Sequence, residues 1–133
     1  MAKTTDSTNQ ATLYERLGGK RAITRIVENF LDEFFKHDRI KNPLVVRRHD
    51  AAFQPELTRH WIAFVTQNAG GPSTYAGRTM KSAHAGMKIS DSDFDSTLEM
   101  MAESLDRAEV GAREKKELLA IMSKHRRRIV EPQ

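Results

Sequence analysis

Apolar positions recur along most of the chain at helical spacing. Ile23, Ile26, Val27, Phe30, Leu31 and Phe34 fall on one face at intervals of three and four. They predict a helix from about Lys20 to Lys36. Ahead of it, Ala11 to Leu17 reads as a short helix stopped by Gly18-Gly19, because glycine readily supplies a left-handed cap. From His37 to Phe53 the pattern dissolves into a loop or short turns containing Pro43 and the cluster Arg47-Arg48-His49-Asp50. Pro55 suits the first turn of the next helix. Leu57, Trp61, Phe64 and Val65 mark that helix's buried face, and Gly70-Gly71-Pro72 end it. A short helix is expected around Thr79 to Ala85. Ser90 and Asp93 then resemble a capping box with aspartate in place of glutamate, and Phe94, Leu98, Met101 and Leu105 follow on one face. After a break near Gly111, a last helix carries Leu118, Met122, His125 and Ile129 on its inner face. With no sustained strand alternation and no internal repeat, the expected fold is all-α.

Residues 1–10 are mostly polar and are expected to be disordered, which leaves one domain over 11–130. Hydrophobic residues make up 38% of the 133, enough for one modest core. No run approaches the ~18 apolar residues of a membrane span, and the N-terminus lacks a signal-peptide core. A cytoplasmic protein without a membrane partner is therefore expected. The absence of cysteine excludes disulfides, thiolate zinc sites and cysteine-ligated iron–sulfur clusters. The net charge of +4 is partly concentrated in Lys124-His125-Arg126-Arg127-Arg128. That run reads either as a nucleic-acid or anionic-surface contact or as cations favoured at a helix C-terminus.

The histidines carry the candidate chemistry. His37 and His49 fit a helix end and a polar loop. His60 shares a helical face with Phe64 and adjoins Leu57 and Trp61. His84 follows Met80 by four residues, so their side chains stack on one face. Each reads as a core histidine with a satisfied hydrogen bond or as a ligand. His125 reads the same way, with packing favoured. No HExxH pair, P-loop or defensible Ser–His–Asp set is present. Zinc needs three or four ligands, more than these imidazoles offer without a carboxylate partner. Haem needs less, since one imidazole on iron within an apolar envelope suffices. The surrounding methionines and aromatics suit such an envelope and equally suit plain core packing.

Thr12-Leu13-Tyr14-Glu15-Arg16-Leu17-Gly18-Gly19, Ala22-Ile23, Phe30 and Asp38-Arg39-Ile40 precede Gly70-Gly71, Tyr75, Gly77, Met80 and His84. In this order the motifs resemble a group I truncated haemoglobin, cyanobacterial-like, from Thr12 to about Val130. The resemblance implies a two-over-two helical sandwich around haem b, with His84 as the proximal ligand and His60 where some relatives carry a distal histidine that itself binds iron. The implied haem contacts are His84, His60, Met80, Leu31, Phe35, Phe53, Trp61, Phe64, Tyr75, Arg78, Lys81 and His125, with His84 and His60 as metal ligands. Leu31 stands where the family often has a tyrosine that donates to bound oxygen, so His60 or the Trp61 indole takes that role. Where the family has a haem-packing phenylalanine this chain reads Asn42-Pro43-Leu44, which leaves the packing to Phe53 or Phe35. Arg78 and Lys81, with Arg47 and Arg48, are the candidate propionate partners. Some relatives bond a C-terminal histidine covalently to a haem vinyl group, and His125 lies near that place.

The implied function is a haem protein binding oxygen, nitric oxide or both. Dioxygenation of nitric oxide to nitrate fits this reading, as does electron transfer if both histidines bind iron. Diatomic gases, an unidentified reductase and a monomeric state are the expected partners and assembly. The alternative is a small basic helical module that binds nucleic acid or a protein through its C-terminal arginines. Against it, no helix-turn-helix pattern stands out and the basic residues form no long stripe.

Overall fold

The fold, given by a computed structural model, is described for residues 11–36, 40, 53–72 and 89–130. These residues form six helices and no strand: α1 (Leu13–Leu17), α2 (Gly19–Lys36), α3 (Phe53–Asn68), α4 (Asp91–Arg107), α5 (Ala112–Ser123) and α6 (Arg126–Ile129). Two helices lie over two. The pair α2 and α3 stacks on the pair α4 and α5, chiefly through α2 against α4, and α1 bridges α2 and α5.

The amphipathic stripe of α2 supplies the centre of the core. Ile23, Ile26, Val27 and Phe30 are each at most 2% exposed, and Met100, Met101 and Leu105 of α4 meet them at 1% or less. Val65 and Ala69 of α3 and Leu118 and Met122 of α5 complete the cluster. Where α4 crosses α2, the wholly buried Ser104 donates its hydroxyl to the Ile26 carbonyl at 2.7 Å. A polar group this deep would be costly without such a partner.

Helix ends follow the sequence closely. At α1, Thr12 and Glu15 form a reciprocal capping box: the Glu15 amide donates to Thr12 Oγ1 at 3.1 Å, and the Thr12 amide donates to Glu15 Oε1 at 3.0 Å. At α4, Ser90 and Asp93 form the expected aspartate version, with the Asp93 amide donating to Ser90 Oγ at 3.0 Å. Gly70 closes α3 at φ +87°, while the Gly70 amide donates to the Gln67 carbonyl and the Gly71 amide to the Thr66 carbonyl. This is the Schellman arrangement, in which the left-handed residue is usually glycine. α4 ends in the same way, except that the left-handed position is Glu109 at φ 59°.

The expected last helix differs in one respect. Instead of running through to Ile129, it stops at Ser123, and α6 begins after a turn at Lys124 and His125. The turn lets Arg126 reach back to α4. Its guanidinium donates to Asp91 Oδ1 at 2.7 Å and to Asp95, and it lies 4.5 Å over the Phe94 ring. A straight continuation would present Arg126 elsewhere.

Candidate functional site

A row of rings runs across the inner face of α2 and α3. Phe34 and Phe30, one turn apart on α2, have centroids 5.8 Å apart. Phe30 meets Trp61 of α3 edge-on at 4.8 Å. Trp61 lies 5.8 Å from Phe64, and Phe64 meets the His125 imidazole at 5.1 Å. At the other end Phe35 sits edge-on to Phe34 at 5.5 Å. Edge-to-face geometry at these separations is favourable for aromatic pairs. Sequence spacing brings together the neighbours on each helix. The junctions between elements, Phe30 with Trp61 and Phe64 with His125, come from the fold.

The row changes character along its length. Phe30, Leu31 and Phe34 are buried, whereas Trp61 and Phe64 are only half-buried, as are Leu57, Leu98 and Ile121, which pack against the same cluster. Large apolar side chains that rest on the core yet face outward form a wall suited to a flat apolar occupant. Among the described residues no group of three histidine, aspartate or glutamate side chains could hold a bare metal ion.

His60 is not the buried core histidine that its apolar neighbours allowed. It is exposed, one residue before Trp61 and one turn before Phe64, at the edge of the apolar arc of α3. His125 is half-buried in the turn before α6, with its Nδ1 3.4 Å from the Arg128 guanidinium. Leu31, only 2% exposed, brings no polar atom to the wall. Phe53 is the first residue of α3. Tyr75, Arg78, Met80, Lys81 and His84, together with Arg47 and Arg48, lie outside the described residues. The chain enters that segment from Gly71 and Pro72, and it re-emerges at the buried Ile89 and the capped start of α4.

Sequence reasoning missed the clasp at the C-terminus. Arg126 was one cation in a basic run, yet Asp95 first, and then Asp91, hold its charge by hydrogen bonds and push its pKa up. No local signal links these residues, since thirty-one and thirty-five positions separate them.

The bacterial-like globin family model matches residues 12–131. The group 1 truncated haemoglobin of Tetrahymena thermophila is 34% identical over 98 residues, covering 72% of this chain and 75% of that protein. The group 1 truncated haemoglobin of a Nostoc species is 31% identical over 110 residues, covering 82% and 88%. Among solved structures, the ferric truncated haemoglobin of Tetrahymena pyriformis superposes with a TM-score of 0.81 at 26% identity, over 92% of this chain and all of the other. The two-over-two haemoglobin of a Synechococcus species, solved with covalently attached haem, gives 0.78 at 26% identity, over 90% and 98%. With the family model and the curated relatives in agreement, the chain belongs to the bacterial-like globins, within the group 1 truncated haemoglobins.

Proposed function

We propose that this truncated globin holds haem b and binds oxygen, nitric oxide or both, with nitric oxide dioxygenation or electron transfer as its activity. The half-covered wall of Trp61, Phe64 and their apolar neighbours carries this reading, because it offers a flat apolar group a face already backed by the core. When bound, haem would supply an iron that takes a diatomic gas and exchanges single electrons, and a reductase would return the electron that conversion of nitric oxide and oxygen to nitrate consumes.

The chain's own residues divide the remaining work. His84 is the proposed iron ligand. Phe35, Phe53, Trp61, Phe64, Met80 and Tyr75 are the proposed walls, excluding water from the site. Arg78 and Lys81 are the proposed partners of the propionates, through charge-assisted hydrogen bonds. Leu31 cannot donate a hydrogen bond, so stabilisation of a polar ligand falls to His60 or to the Trp61 indole N–H. If His60 itself takes the sixth position, external ligands compete with it, and apparent affinity falls in proportion to the fraction of open sites. His125, against Phe64, is a proposed rim contact. Acid–butanone extraction should release the haem completely. Haem retained by the protein, and released again in His125→Ala, would place a covalent bond at His125 instead.

The experiment that tests the reading is an optical spectrum. Purified or haem-reconstituted protein should show a Soret band, and no band after haem addition would end the proposal. His60→Ala should convert a low-spin ferric spectrum to a high-spin one if His60 binds iron; an unchanged spectrum assigns it to hydrogen bonding or packing. His84→Ala should weaken haem retention far more than the same change at His37 or His49. The nucleic-acid alternative loses support because Arg126 is engaged with Asp91 and Asp95. Salt-dependent binding of the apoprotein to duplex DNA would restore it.

A further inference from the structure

The two motifs that mark the sequence, Leu-Tyr-x-x-Leu-Gly-Gly and the later Gly-Gly, form one joint. The Tyr14 amide donates to the Ala69 carbonyl at 2.8 Å, just where α3 ends. The Tyr14 ring lies flush against Gly71, so close that a Cβ there would overlap ring carbons, while its hydroxyl lies 4.0 Å from where a Cβ on Gly19 would sit. Thr12 packs against Gly70 in the same joint. The two later glycines therefore serve different ends. Gly70 supplies a left-handed cap, and Gly71 supplies room for one ring.

α1, which carries that ring, is five residues long, far below the length at which a helix stands alone in water. It is held from the other side by Arg16, which donates to both Glu117 oxygens at 2.6 and 3.0 Å and to Glu114 at 3.0 Å. α1 is thus tied to α5 by charge and to the end of α3 by Tyr14. No hydrogen bond is made by the Tyr14 hydroxyl among the described residues, so the ring face, not the hydroxyl, makes the joint.

We infer that Tyr14 is a positioning residue for the haem-ligating segment: by seating on Gly71 it fixes the point and direction from which the chain leaves α3 toward His84. The inference rests on the haem reading above, and its test separates the two. Tyr14→Ala, Tyr14→Phe and Arg16→Ala are compared, the last loosening α1 from α5 while leaving the ring in place. Four quantities are read: urea stability, the rate of haem loss to apomyoglobin, amide exchange at Gly70 and Gly71, and the iron–imidazole Raman band of the ferrous protein. Tyr14→Ala should lose haem about ten-fold faster or more, the size usual for removing support behind a metal ligand. Its Gly71 amide should exchange faster, and the iron–imidazole Raman band of the ferrous protein should shift or broaden. Tyr14→Phe should keep all four at wild-type values. Arg16→Ala should lose stability without a comparable change in haem loss or in the Raman band. Equal haem loss from Tyr14→Ala and Arg16→Ala at equal stability would overturn the inference, because Tyr14 would then be ordinary packing. An unchanged Gly71 amide in Tyr14→Ala would overturn it too. A wild-type protein that takes up no haem overturns the functional reading, and the Gly71 exchange then decides the joint alone.

Discussion

Leu31 shows how a single side chain sets chemistry. It sits one residue after Phe30, only 2% exposed, and offers nothing but an aliphatic surface. Leu31→Tyr should add one hydrogen bond to a bound oxygen, worth about 0.5–1.5 kcal/mol, and slow oxygen release by a few-fold to roughly ten-fold. Stopped-flow release kinetics would read it, and an unchanged rate would show that the position does not face the ligand. The added bulk in a packed core should cost about 1–3 kcal/mol of stability. Glu109 makes the converse point. Its left-handed backbone is strained for any residue with a Cβ, so Glu109→Gly should leave stability unchanged or raise it by up to about 1 kcal/mol in urea melts. A clear loss would mean that its side chain does something the backbone geometry does not reveal.

At the scale of elements, helices whose apolar stripe faces a core were legible, because periodicity and burial are one fact stated twice. The stripe of α2 and the capping box of Ser90 and Asp93 emerge as read from the residues, whereas the box of Thr12 and Glu15 went unread. The split between α5 and α6 was not legible, because its visible consequence is a contact with Asp91 and Asp95, an element away. The candidate site divides likewise. Trp61 and Phe64 announced themselves by spacing, but the meeting of Phe64 with His125 depends on that same turn. Tyr14 was read as part of a motif, yet its seat on Gly71 joins segments more than fifty residues apart. Charge ties belong to this scale too. The hydrogen bond from Arg16 holds the Glu117 carboxyl below its ordinary value. A depressed carboxylate contributes stability that is complete above the unfolded-state value, about 4.3, and is lost as pH falls through the lower folded value. The difference in melting temperature between wild type and Arg16→Ala should therefore be constant near neutrality and shrink below about pH 4. A difference that persists undiminished at pH 2 would assign the effect of Arg16 to packing of its stem.

At the scale of the whole molecule, two layers of two helices enclose one small core, and Trp61 and Phe64, the proposed wall for haem, are only partly buried against it. Haem bound there should stabilise the protein by mass action, so that the thermal midpoint rises with the logarithm of the free haem concentration above its Kd. A midpoint indifferent to haem would place the cofactor outside the fold's cooperative unit. The surface clasp of Arg126 is screened by salt. Arg126→Ala should thus cost more at low than at high ionic strength, with the gap read in parallel urea titrations. At one point the two layers meet through a short polar side chain. The side chain of Ser104 reaches only a short distance from its own backbone, yet it touches the main chain of the opposite layer at Ile26. Position 104 therefore leaves room for little beyond a serine between the halves. In a library of all substitutions there, alanine and glycine should survive alongside serine, and every longer side chain should be purged, however hydrophobic.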